Sequence, residues 1–125
     1  EAHLDFVKEK GLGLIAFSPL AQGLLTNRYL DGIPSDSRVA KSGVFLHRED
    51  ITHELLGRIS KLNALALERG QSLAQMSLSW LLSKDIVTSV IAGASSSAQL
   101  KDSLKALDNL YFTTDELKRI DEILL

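Results

Sequence analysis

The chain of 125 residues contains no cysteine. Disulfides, thiolate nucleophiles and cysteine metal ligands are therefore excluded from this stretch. A cysteine-free chain fits a reducing compartment, and a cytoplasmic protein is the expectation. No apolar run is long enough to span a bilayer, and there is no signal peptide, so membrane insertion is not expected. Positive charge is not in excess: 14 Lys and Arg stand against 16 Asp and Glu, a net charge of -2. No Lys/Arg-rich run occurs, which argues against a nucleic-acid surface. Internal repeats and low-complexity tracts are absent. What remains is globular composition, 45% hydrophobic and 24% charged. The chain opens at Glu1 inside a helical pattern, so it is expected to be part of something longer.

Residues 1–10 carry Ala2, Leu4, Phe6 and Val7 among charges, and Gly11 stops the pattern as a C-terminal glycine does. Leu12–Phe17 is a short apolar run that reads as a buried strand. Pro19 ends it, and Ser18–Gly23 follows as a loop. Leu24–Leu30 suggests one or two helical turns. Asp31–Arg48, taken as a loop to residue 50, holds Gly32, Pro34 and Gly43; irregular segments of about that length are usually functional or mobile. From Asp50 to Arg69, Leu55, Leu56, Ile59, Leu62, Leu65 and Ala66 recur at three- and four-residue steps, an amphipathic helix closed by Gly70. Ser72 and Gln75 have capping-box spacing and open a helix over Leu73–Ser83 that is apolar over most of its surface. Met76 and Trp80 within it read as core. Residues 87–92 form a second strand. Ala98–Leu107 follows as a helix with Leu100, Leu104 and Leu107 on one face. Thr113 and Glu116, with Phe112 and Leu117 as a hydrophobic staple, open the last helix, which places Leu117, Ile120, Ile123 and Leu124 on its buried side.

Strand alternating with helix implies parallel strands joined by crossovers. Two such strands leave both sheet edges unpaired and expect neighbours from elsewhere. The search for chemistry finds no complete catalytic set. His3, His47 and His53 have no second ligand at helical spacing, the carboxylates are scattered, and no nucleophile elbow, Gly-x-Gly-x-x-Gly or P-loop occurs. Two strand-to-helix turns stand out instead. One is Phe17–Gly23. The other is Gly93-Ala94-Ser95-Ser96-Ser97-Ala98-Gln99, where Ser96 and Gln99 again have capping-box spacing. A helix start ringed by hydroxyls and free N–H groups serves as an anion pocket or, more commonly, as an ordinary capped turn. In (β/α)8 barrels, the loops after the last two strands commonly hold a phosphate.

Ile15–Thr26, followed by Arg28-Tyr29 and Ile33-Pro34, resembles the seventh-strand region of the aldo-keto reductases. Ser89–Leu100 resembles their eighth strand and cofactor loop, and Ala74–Leu82 the helix between them. The nearest subgroup is the one containing potassium-channel β subunits and bacterial glyceraldehyde-3-phosphate reductases. The resemblance spans essentially the whole chain. It implies an α/β fold, the C-terminal part of a (β/α)8 barrel over residues 1–125, with about two parallel strands and flanking helices. It also implies binding of NADPH and reduction of a small carbonyl substrate, with a homo-oligomer as a further expectation.

Residue by residue, Phe17 matches an aromatic at the strand end. Ser18, Pro19, Leu20, Ala21, Gln22 and Gly23 match the loop around the pyrophosphate. Arg28 and Arg38 match basic positions near the cofactor phosphates. Gly93, Ser95 and Gln99 match the adenosine-phosphate pocket, and Asp102 an acid that contacts the adenine amine. Ser103 stands where the family usually has Asn, and Ser96 where many members have Asn or a basic residue. None of the residues matches the family's catalytic Asp, Tyr, Lys and His. The resemblance thus implies a cofactor-binding portion without the catalytic tetrad. A non-catalytic, NADPH-sensing channel subunit and an inactive fragment are the alternatives.

Overall fold

The computed structural model describes residues 2–27 and 51–125. In chain order these form α1 (Ala2–Glu9), β1 (Leu14–Phe17), a 3-10 turn (Ala21–Gly23), α2 (His53–Glu68) and α3 (Leu73–Leu82). Then come β2 (Val87–Ile91), α4 (Ser97–Leu104), which runs into a 3-10 turn (Lys105–Asp108), and α5 (Thr114–Leu124). β1 and β2 pair in parallel as a two-stranded sheet. The result is an incomplete α/β arrangement, two parallel strands flanked by helices.

The helix ends are set by local chemistry. Gly11 and Gly70, both at positive φ, close α1 and α2. The amides beyond them reach back, Leu12 to the Val7 carbonyl and Gln71 to the Ala66 carbonyl, each at 3.0 Å. This closure explains why β1 begins at Leu14 rather than Leu12: the Leu12 amide is still finishing α1. Thr52 caps α2 through its hydroxyl, an N-cap the sequence reading did not identify. The boxes at Ser72/Gln75 and Thr113/Glu116 both form with both reciprocal bonds.

The core lies among the helices. Ile59, Leu62, Leu65 and Ala66 of α2 pack with Leu73 and Met76 of α3, with Phe112, and with Ile120 of α5. Leu24, Leu25, Leu55, Trp80, Leu117 and Ile123 close around them. The three- and four-residue spacing of α2 is thus the spacing of the buried face, and Met76 and Trp80 are packing residues. Burying such side chains stabilises the fold by roughly 1.5–3 kcal/mol each.

Three expectations are corrected. Leu24 and Leu25 form a turn, not a helix; the remainder of the expected helical stretch, from Arg28, lies outside the described residues. The helix expected over Ala98–Leu107 is α-helical only to Leu104 and ends in the 3-10 turn; Leu100, Leu104 and Leu107 are exposed, because α4 meets α3 through polar groups and the turn meets it through Ala106, which is buried. Leu124 is also exposed, beyond the last packed turn of α5.

A second layer of the interior is polar and fully partnered. The Arg69 guanidinium, 2% exposed, pairs with Glu116 at 2.8 Å. It also donates to Gln71 Oε1 and the Tyr111 carbonyl and lies 3.7 Å over the Phe112 ring. Gln71 Nε2 donates to Ser79 Oγ, and Ser79 Oγ donates to the Ala106 carbonyl at 2.7 Å. Among the described residues no buried side-chain polar atom lacks a partner.

Candidate cofactor-binding site

The register of the sheet brings the two distinctive turns together. Phe17 lies opposite Ile91, so both strands end side by side and both loops leave the same edge. Ile15, Phe17 and Ile91 are exposed on one face, whereas Leu14, Ala16, Val87 and Val90 are half-buried on the other.

Backbone conformation distinguishes the first loop. Ser18, Ala21 and Gln22 all have positive φ, at 50°, 46° and 59°, and Gly23 follows at 96°. Non-glycine residues adopt this region rarely, at a cost of order 1 kcal/mol or more each. The loop is held in it by bonds from Ala21 N to Ser18 O, Gly23 N to Leu20 O and Leu25 N to Leu20 O. Thr26 Oγ1 adds a 2.6 Å bond to the Gly23 carbonyl. Leu24 and Leu25 then anchor the loop in the helical core. Pro19 and Leu20 are half-buried, and Ser18 and Ala21 are exposed.

In the second loop Gly93 and Ser95 are exposed and Ser96 caps α4, its hydroxyl accepting from the Gln99 amide at 3.1 Å. The expected box forms by half only. Gln99 Oε1 accepts from the amide and the hydroxyl of Ser95, at 2.7 and 2.9 Å, instead of returning to Ser96. That pairing fixes the orientation of the amide, and the Gln99 NH2 group has no partner among the described residues. Gly93 is not in the left-handed region, and a Cβ there would meet open space. The need for backbone freedom lies in the first loop, not at Gly93.

Asp102 and Ser103 stand one turn beyond Gln99, at i+3 and i+4, and so share its side of α4. Asp102 is exposed but not loose. Its Oδ1 accepts from Gln75 Nε2 at 2.8 Å, and its backbone carbonyl from the same nitrogen at 3.1 Å. Ser103 is half-buried. Arg28 and Arg38 lie outside the described residues, as does the loop to residue 50. By its spacing Gln75 is a helix cap; its second role depends on how α3 and α4 pack.

The donors left over here suit an anionic ligand: the hydroxyl of Ser96, the side-chain NH2 of Gln99 and the N–H groups of Ser97 and Ala98 in the first turn of α4. The Asp102 carboxylate suits an amine. Chemistry elsewhere is sparse. Among the described residues, no three His, Cys, Asp or Glu side chains come together as a metal centre would need. A shallow depression of about 310 Å³, lined by Leu4, Asp5, Lys8, Ser83, Lys84, Asp85 and Ile86, opens at the opposite end of β2. Its charges are mixed, and it is remote from both loops. The perturbed carboxyls are structural. Burial pushes Glu116 up, but the Thr113 amide and the Arg69 guanidinium hold it below the ordinary value. A bidentate bond from Arg119, at 2.7 and 3.0 Å, lowers Glu68. No described helix is long and apolar enough to cross a membrane.

Parallel strands whose carboxyl ends deliver two loops and a helix start side by side define an incomplete α/β arrangement. The chain belongs to the aldo/keto reductase family, whose model matches residues 1–125. It is 51% identical over 122 residues to L-glyceraldehyde 3-phosphate reductase of Escherichia coli (strain K12), covering 95% of this chain and 35% of that protein. It is 40% identical over 115 residues to a probable voltage-gated potassium channel subunit beta of Oryza sativa subsp. japonica, covering 90% of this chain and 34% of that protein. A protein of the same description from Arabidopsis thaliana is 38% identical over 124 residues, with coverages of 97% and 38%. The chain therefore spans about a third of the length of these relatives.

Proposed function

We propose that residues 1–125 are the C-terminal, NADPH-holding portion of an aldo/keto reductase barrel that reduces small aldehydes or ketones. The observation that supports this best is the pairing of Phe17 with Ile91, which sets the strained Ser18–Gly23 loop beside the capped start of α4. In this reading the first loop wraps the pyrophosphate. Gly93, Ser95 and Gln99 bind the adenosine phosphate, Asp102 and Ser103 meet the adenine, and Arg28 and Arg38 add positive charge. When bound, the cofactor supplies the hydride for the carbonyl carbon. The residues of this stretch bind and orient it; the proton for the carbonyl oxygen comes from the family's acid, which these residues do not include.

The identity to L-glyceraldehyde 3-phosphate reductase makes a triose phosphate the first substrate to try. A cytoplasmic setting and self-association belong to the same reading; the exposed Ile15, Phe17 and Ile91 face supports the need for apolar partners. The second reading, an NADPH-sensing channel-type subunit, is favoured by the identity to the potassium channel subunits. Titration of NADPH fluorescence with the full-length protein, followed by turnover of small aldehydes, tests both. Saturable binding with turnover supports the reductase, binding without turnover supports the sensor, and absence of NADPH binding overturns both.

A further inference from the structure

Gln75 is 7% exposed and makes more contacts than a helix cap requires. Its Oε1 accepts from the Ser72 amide at 3.0 Å, completing the capping box of α3. Its Nε2 crosses to α4, donating to Asp102 Oδ1 at 2.8 Å and to the Asp102 carbonyl at 3.1 Å. Capping alone is served equally well by Glu at this position, and the other complete box uses Glu116, whose carboxylate faces the Arg69 guanidinium. Facing Asp102, a carboxylate would repel, and only an amide can both accept from Ser72 and donate to Asp102. One hydrogen bond therefore fixes the side-chain direction of an exposed carboxylate, and a second joins the Lys105 amide on the Asp102 carbonyl in the last turn of α4, where the helix tightens into 3-10 geometry. Among the described residues Oδ2 of Asp102 has no partner, and Asp102 shares its side of α4 with Gln99.

We propose that Gln75 is a positioning residue for base recognition. By holding Oδ1 it aims the second carboxylate oxygen of Asp102 at an exocyclic amine, so that the site selects a 6-aminopurine over a 6-oxopurine. This rests on the cofactor reading above. A 6-oxo group would set an acceptor against the Asp102 carboxylate, and a site built around one charge-assisted hydrogen bond rejects the analogue that lacks its donor.

The test compares binding of NADPH and of its hypoxanthine counterpart, in which oxygen replaces the 6-amino group, to the full-length protein. The unsubstituted protein is expected to prefer NADPH by about tenfold. Gln75→Glu keeps the cap acceptor but removes the donor, and the preference is expected to fall to about twofold or less. Combining Gln75→Glu with Asp102→Asn reverses the polarity of the hydrogen bond and leaves the introduced amide oxygen facing outward, so most of the preference returns. A merely structural Gln75 moves the melting temperature and leaves base preference alone. Full discrimination in a folded Gln75→Glu protein overturns the proposal while the cofactor reading stands. So does a folded double variant that binds NADPH without preference. Equal binding of both dinucleotides by the unsubstituted protein removes the Asp102 contact and the proposal together. Absence of NADPH binding overturns the cofactor reading itself.

Discussion

The helical interior and the loop edge of the sheet solve opposite problems. Inside, α2, α3 and α5 close an apolar cluster and surround it with polar groups that satisfy one another: Arg69 with Glu116, Gln71 with Ser79, Ser79 with Ala106. At the edge, Phe17 is 79% exposed, three non-glycine residues hold positive φ, and Gln99 offers an amide with no partner among the described residues. The interior is saturated, whereas the edge keeps conformational strain and unused hydrogen-bonding capacity. Strain at an edge anchored by Leu24 and Leu25 is what a preorganised binding loop requires, and saturation is what keeps the anchor still.

The contrast can be broken from the inside first. Arg69→Ala strips the partner from Glu116 and the stacking group from Phe112. It is expected to cost about 3–5 kcal/mol in denaturant unfolding of the full-length protein. A loss under about 1 kcal/mol would mean the network is ornamental. Leu65→Ala, in the centre of α2's buried face, is expected to cost about 3 kcal/mol while leaving the NADPH affinity of the folded fraction unchanged. Coupled loss of affinity would show that the core and the edge are not separable.

The edge should respond with the opposite sign. Gln22→Gly relieves a left-handed backbone and is expected to stabilise the fold by up to about 1 kcal/mol. It should nevertheless weaken NADPH binding severalfold, because the loop becomes less ordered. Equal or tighter binding would remove strain from the account of this loop.

Acid probes the helical region through its two perturbed carboxyls. Glu116 and Glu68 both lie below their ordinary values in the folded protein. The folded state therefore binds fewer protons than the unfolded one. The stabilisation is present above the unfolded carboxylate value and is lost as pH falls through the depressed folded values. Unfolding midpoints followed from neutral pH into the acid range should fall, and Glu116→Gln should flatten part of that fall. Arg119→Ala, on the exposed Glu68 pair, should move the neutral-pH midpoint least of all.

Much of the interior is legible in the order of the residues. Leucines at three- and four-residue steps in α2, the boxes at Ser72/Gln75 and Thr113/Glu116, and Met76 and Trp80 as core are local patterns with one physical solution. The failures share a cause. The helix expected to run to Leu107 gives way to a 3-10 turn after Leu104, and Leu100, Leu104 and Leu107 are exposed, because α3 meets α4 through Gln75 and Asp102. In the first loop positive φ falls not only on Gly23 but on Ser18, Ala21 and Gln22, where no residue type announces it. Gln75 reads as a cap because its second partner lies 27 positions away.

The helices and their caps, the apolar face of α2, the two short parallel strands and the family are all dictated by the amino-acid sequence. Each depends on neighbours within a few residues, or on ordered motifs along the chain. Tertiary packing alone settles that Phe17 pairs with Ile91 and that Gln75 reaches Asp102. Those choices depend on strand register and helix packing, which balance distant surfaces against one another and leave no periodic trace along the chain.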